Sequence, residues 1–176
     1  MRPLTEAAIR RSMANCSRSQ VTAMTMPAGL ASLDWDAHDF LGWRDAKAPL
    51  RAYVVQWRDD APLGLMLRAP ESRMARSRAA MCALCHYGQS ADNVALFTAR
   101  RVGQRGRDGN TVGTYICADL ACSANVRSAA APSSFASPSG RRTPVEPTPE
   151  MREAVRRRVA ELGERLTAFT DSVVQP

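Results

Sequence analysis

The chain lacks most of what would mark it as a membrane protein, a secreted protein or an enzyme. Nowhere among its 176 residues is there an apolar run of the roughly eighteen residues that a membrane-spanning helix needs. The opening Met1-Arg2-Pro3-Leu4-Thr5-Glu6 has no continuous apolar core of the secretion-signal kind. The expected compartment is therefore the cytoplasm, where thiols stay reduced and paired cysteines point to metal rather than to disulfides. Aromatic residues make up only 6%, which limits base stacking as a binding mode. There are two histidines, His38 and His86, neither near a serine or acid at the spacing of a catalytic triad. No Gly-x-Ser-x-Gly is present. The glycines at 103–109 are not followed by the Lys-Ser/Thr of a phosphate-binding loop. Residues 79–81, ahead of the first cysteine pair, offer no His-x-Glu of the zinc-deaminase type. No residue can be named for catalysis, and the expectation is a protein that is not an enzyme.

What is present begins with charge. The net charge is +7 with an isoelectric point near 9.8, which favours an acidic partner, either nucleic acid or an acidic protein face. Most of the excess lies between residues 68 and 107, where eight arginines stand against Glu71 and Asp92. Guanidinium groups are planar, forked donors suited to carboxylate or phosphate. Arg76, Arg78, Arg100, Arg101, Arg105 and Arg107 are the candidate partner-binding residues. Hydrophobic residues at 45% allow a core of ordinary proportion.

Taken in order, residues 1–29 read as an N-terminal helical segment. Thr5 caps a helix over about 5–14, and Ser17-Arg18-Ser19-Gln20 has the form of a capping box opening a second helix to Met24. Cys16, the cysteine without a mate, reads as a small buried side chain. A β-rich domain follows over 30–128. Its first stretch is acidic and aromatic, with Leu33, Trp35, Phe40 and Trp43 as core candidates and acidic neighbours free to meet the basic region. Residues 51–57 and 63–68 form a hairpin around Arg58-Asp59-Asp60-Ala61-Pro62, and residues 93–101 and 111–116 form a second one around a glycine-rich loop at 103–110. Residues 129–147, rich in Pro, Ser and Ala, read as a linker. Thr148-Pro149-Glu150 then opens a helix to residue 174. Along it Met151, Val155, Val159, Leu162, Leu166, Phe169 and Val173 make one apolar stripe, expected to dock on the chain's own domain.

The other four cysteines come in two close pairs, Cys82-Ala83-Leu84-Cys85 and Cys117-Ala118-Asp119-Leu120-Ala121-Cys122, separated by 31 residues. A tight turn within each pair can aim two sulfurs at one point, and four thiolates suit the tetrahedral preference of Zn²⁺. Asp119 is placed to cap a helix that carries Cys122 in its first turn, with amide donors there helping to hold the sulfurs deprotonated. Four protein ligands leave no open position, so the predicted Zn²⁺ is single and structural. His86 follows Cys85 directly and is the one competing ligand. The order of a knuckle, a hairpin and a helix is that of a treble-clef finger, over 78–128. The expected fold is α+β: the finger, extended by the upstream hairpin and short N-terminal helices, plus a separate C-terminal amphipathic helix.

The run from Arg78 to Cys85, the run Gly109-Asn110-Thr111-Val112-Gly113-Thr114-Tyr115-Ile116-Cys117 to Cys122, and Leu33 to Asp45 resemble the elongation factor G-binding proteins. That family includes the FusB-type fusidic-acid-resistance proteins and the FBP-domain proteins, and the likeness covers about 3–128. The resemblance implies a non-catalytic partner of elongation factor G, with Cys82, Cys85, Cys117 and Cys122 as zinc ligands. The alternative, carried by charge alone, is a zinc-stabilised RNA or ribosome binder.

Overall fold

The computed structural model describes residues 1–72, 74, 75, 79–128 and 148–175. The expected linker at 129–147 lies outside the described residues, as do Arg76 and Arg78.

The N-terminal helices form where their caps put them. Helix α1 (Glu6–Ser12) has the Thr5 hydroxyl accepting from the Ala8 amide at 3.2 Å. Helix α2 (Arg18–Ala23) carries both halves of its capping box, Ser17 with the Gln20 backbone and Gln20 with the Ser17 backbone. Such reciprocal bonds satisfy amides that the first turn leaves without partners.

The main strands are β1 (Leu41–Arg44), β2 (Arg51–Arg58), β3 (Ala61–Arg68), β6 (Val94–Arg100) and β7 (Thr111–Cys117). They pair into a five-stranded antiparallel sheet in the order β1-β2-β3-β6-β7. Strand β1 is not among the expected strands, because its stretch reads as core plugs in the sequence. Gly42 and Arg44 break its β-forming character, but Leu41 and Trp43 alternate onto one face and are buried. Two short strands, β4 (Ala79–Met81) and β5 (Gly88–Ser90), pair with each other around the first cysteine pair and are likewise additional to the expected hairpins. The loop at 103–110 proves partly helical. Helix α3 (Gly103–Arg107) turns back so tightly that a Cβ on Gly106 would lie 1.7 Å from the Arg101 carbonyl oxygen. Gly103, its first residue, and Gly109, just past its C-cap, take left-handed backbone, which lets so short a helix start and stop.

Alternation along each strand divides the core in two. One face of the sheet, with Ala52, Val54, Leu65, Leu67, Phe97 and Ile116, joins the four cysteines in a single buried cluster. Tyr53 and Val55, their neighbours on β2, point the other way into a second cluster with Ile9, Leu41 and Trp43. Helix α4 (Cys122–Ser128) and the C-terminal half of helix α5 (Pro149–Val174) close the first cluster. Leu162, Leu166, Phe169 and Val173 of the predicted stripe are buried there, so α5 docks on its own chain. Polar stitches fix the docking. Gln56 Nε2 donates to Thr170 Oγ1 at 2.7 Å, Arg58 pairs with Asp171 at 2.6 Å, and the Val102 amide donates to the Val173 carbonyl at 3.0 Å.

The join between β3 and β6 is thin. Arg68↔Thr98 is its one register pair, and beyond it the strands diverge. Asn15 fills that gap. Its Nδ2 donates to the Met66 and Arg100 carbonyls, both at 3.0 Å, while its Oδ1 accepts from the Met66 amide at 2.8 Å. One side-chain amide thus replaces ladder bonds between two strands. The preceding residues run beside β3, and Gly64 makes room for them: a Cβ there would meet Met13 Sδ and Ser12 Oγ at 2.6 Å.

Candidate metal centre

The first cysteine pair sits in the turn between β4 and β5. The His86 amide donates to the Cys82 carbonyl at 2.9 Å, and His86 itself takes left-handed backbone with φ 52°. The amides of Leu84 and Cys85 both donate to Cys82 Sγ at 3.4 Å. The second pair begins where β7 ends at Cys117. Leu120, at φ 61°, donates its amide to the Cys117 carbonyl at 2.9 Å, and the turn delivers Cys122 as the first residue of α4. Asp119 accepts from the Ala121 amide at 3.0 Å, so it shapes the turn rather than capping the helix itself.

These turns bring the four sulfurs together. Cys82 and Cys122 Sγ lie 3.7 Å apart, Cys85 and Cys117 Sγ 3.6 Å, and all four fall within 4.8 Å of one another. A tetrahedron with Zn–S bonds of about 2.3 Å has S···S edges of about 3.8 Å. The sulfurs therefore already stand close to the spacing that one Zn²⁺ requires. The cysteines are almost wholly buried, and among the described residues no histidine or carboxylate joins the cluster. His86 points out to solvent. Donor chemistry agrees with the geometry. Without a cation the packed sulfurs must share protons: hydrogen bonds from the Cys117 and Cys122 thiols press Cys82 far down, while the bonds Cys122 gives to Cys117, Cys82 and Cys85, together with burial, push it far up. A dication at their centre removes that conflict by letting all four be thiolates. The four cysteines can thus hold one zinc ion in a closed, structural site.

Two side chains missed by sequence reasoning complete the setting. Asn125 Nδ2 and Gln89 Nε2 donate to Cys117 Sγ at 3.2 and 3.4 Å. Asn125 lies three residues after Cys122, one turn along α4, a spacing that could have flagged it. Gln89 reaches the site only through the β4–β5 pairing. Among the described residues, the backbone donors to sulfur come from Leu84 and Cys85, not from the start of α4 as expected. Helix α5 braces the knuckle from outside, where Arg165 donates to the Leu84 carbonyl at 3.0 Å. The acidic stretch meets the finger as the sequence allowed. The Asp39 carboxylate accepts from Arg127 of α4 at 2.7 and 3.0 Å, and the Asp39 amide donates to Ser123 Oγ at 3.0 Å.

The candidate partner arginines separate. Arg100, Arg105 and Arg107 are exposed, the last two on α3 at the tip of the β6–β7 hairpin. The Arg101 guanidinium instead turns inward and donates to the Ser172 carbonyl at 2.5 Å. Cys16 is half-buried and free, and burial pushes its thiol up to about 11.

Among the described residues, no helix is long and apolar enough to cross a membrane. Compared with known proteins, residues 8–173 match the family described as the FBP C-terminal treble-clef zinc-finger. The solved structure of the fusidic acid resistance protein FusC is similar at 22% identity with a TM-score of 0.44. The alignment covers 62% of this chain and 50% of that one, so the chain spans half the length of FusC. No curated protein matches.

Proposed function

Because the chain belongs to the FBP C-terminal treble-clef zinc-finger family, we propose that it is a non-catalytic cytoplasmic protein that binds elongation factor G. The observation that carries the reading is the buried four-sulfur cluster at the base of the finger. With every ligand position taken by protein, a zinc ion there has no place for water or substrate. Its role is to hold a surface in shape. Zinc when bound supplies charge balance to four thiolates and ties the knuckle to α4. The chain's own residues do the rest: Gln89 and Asn125 steady Cys117, and Arg165 holds α5 against the knuckle. The surface so held carries Arg100, Arg105 and Arg107, a set of exposed forked cations suited to carboxylates of a protein partner. By this reading Cys82, Cys85, Cys117 and Cys122 are the zinc ligands, and α3 lies at the interface with the partner.

Gel filtration of the zinc-loaded chain with purified elongation factor G at micromolar concentration tests this. A co-eluting complex, weakened by Arg105→Glu or Arg107→Glu, is the expected result. Separate elution of the two proteins would overturn it.

A further inference from the structure

The two faces of the sheet are not equally covered. The face bearing the cysteines is closed by the finger and α5. On the opposite face the N-terminal helices and their cluster cover β1 to β3, and no residue of that cluster comes from β6 or β7. The outer face of β6 and β7 therefore has no cover from that cluster among the described residues, and Leu96, Arg100, Thr111 and Tyr115 on it are exposed.

Register fixes what this face presents. Arg68 stands opposite Thr98, Arg100 opposite Thr111, and Leu96 opposite Tyr115. All six alternate onto the uncovered side. Arg68 and Arg100 are on adjacent strands where β3 and β6 part, and both line the same cleft, so their long side chains can reach one anion. They flank a cleft of about 240 Å³, lined also by Thr98, Thr111 and Gln20, at the divergence of β3 and β6. Arg68 pairs with Glu71 at 3.3 Å, but both side chains are more than two-thirds exposed, and such a pair yields readily to a stronger ligand. One row further along lie Leu96, 39% exposed, and Tyr115, 49% exposed. Each row is separated from the next by about 7 Å.

From this arrangement we infer that the outer face of β6 and β7 binds single-stranded RNA. A phosphate sits between Arg68 and Arg100, and a neighbouring base lies on Tyr115 and Leu96. Two forked cations with hydroxyl and amide donors around them suit a phosphate, and the same hydroxyls can meet a ribose 2′-OH. An exposed aromatic ring beside an exposed leucine can take an unstacked base, which a duplex does not offer. The charge agrees: Arg105 and Arg107 stand beyond the end of β6. Arg100 also belongs to the surface proposed for elongation factor G, but Arg105→Glu and Arg107→Glu test that reading outside this face and Tyr115→Ala tests this one outside that arginine set, so failure of the one is distinguishable from failure of the other.

The test is fluorescence anisotropy of the full zinc-loaded chain with a 5′-labelled oligouridine of about twelve nucleotides. Saturable binding that weakens with salt is expected. Joint Arg68→Ala and Arg100→Ala substitution should lower affinity at least about tenfold and reduce the log–log salt slope by about 0.7, for the one phosphate no longer neutralised. Tyr115→Ala should weaken binding by roughly 5- to 100-fold and leave the slope unchanged. Arg157→Ala, on the exposed face of α5, should do neither. All substituted residues are exposed, and circular dichroism with zinc content confirms that each variant is folded. Absence of saturable binding below about 100 µM at roughly 50 mM salt would overturn the inference. So would an unaffected double arginine variant or an unaffected Tyr115→Ala. Displacement of the probe by polyglutamate as readily as by unlabelled oligouridine would reassign the face to an acidic protein. Equal affinity for oligothymidine would remove the assignment to RNA.

Discussion

Stripping zinc should unfold the whole described chain, not only the finger. The four cysteines are members of the same buried cluster as Leu84, Leu120, Val126, Leu162 and Phe169. Structural zinc in small domains contributes an apparent free energy of about 10–16 kcal/mol at neutral pH. A domain of ordinary stability has about 5–15 kcal/mol in total, so the metal-free form falls at or below the folding threshold. Helices α4 and α5, of 7 and 26 residues, depend on that cluster and dominate the helical signal. All three tryptophans, Trp35, Trp43 and Trp57, lie instead in the N-terminal cluster. Yet the clusters share strands: Ala52 and Val54 face one, Tyr53 and Val55 the other. Loss of one face must therefore disorder the other. Titration with a strong chelator, followed by circular dichroism at 222 nm and by tryptophan fluorescence, should give coincident transitions as one zinc per chain is released. Retention of helix after zinc has left would refute the reasoning. So would a helical loss that leaves the tryptophans unmoved.

Three substitutions probe the parts separately. Burial alone would raise the Asp45 carboxyl, but donors from the Thr25 and Lys47 amides and the Tyr53 hydroxyl outweigh it and hold the group below its ordinary value of 3.8. A depressed folded-state value means stabilisation that is present above the unfolded value near pH 4 and is lost as pH falls below it through the lower folded value. Asp45→Asn should therefore cost about 1.5–3 kcal/mol at neutral pH and flatten the acid limb of a stability–pH curve; a parallel acid limb would contradict this. Asn15→Leu leaves the Met66 amide and carbonyl and the Arg100 carbonyl without their partner, and urea denaturation should show a loss of about 2–4 kcal/mol. An unchanged midpoint would mean the divergence of β3 from β6 needs no bridge. His86→Gly relieves left-handed strain at an exposed residue and should raise stability by about 1 kcal/mol, read as a higher Tm. A lower Tm would show that the imidazole holds the knuckle.

The features legible in the sequence are those set by local chemistry. Thr5 and the Ser17–Gln20 box mark helix starts because the bonds they make are within three residues. The cysteine pairs are legible because a metal needs them at turn spacing, and the stripe of α5 because a helix repeats every few residues. What is not legible depends on partners distant in sequence. Strand β1 exists because Leu41 to Arg44 meet Val55 to Ala52, not because of its own propensities. Arg101 resembles its exposed neighbours in the sequence and differs only because Ser172 of α5 lies beside it. Gln89 acquires a role at Cys117 through a three-residue pairing that carries no periodic signal of its own. Asn15 similarly reads as the end of a helix, while its side chain closes a gap between strands 51 and 85 residues away.

Binding of elongation factor G is the central claim, and isothermal titration calorimetry of the zinc-loaded chain into the purified factor addresses it directly. One-to-one saturation in the micromolar range or tighter is predicted, abolished by prior chelation and reduced by Arg105→Glu. The absence of binding heat at several temperatures, with the chain folded and zinc present, would contradict it.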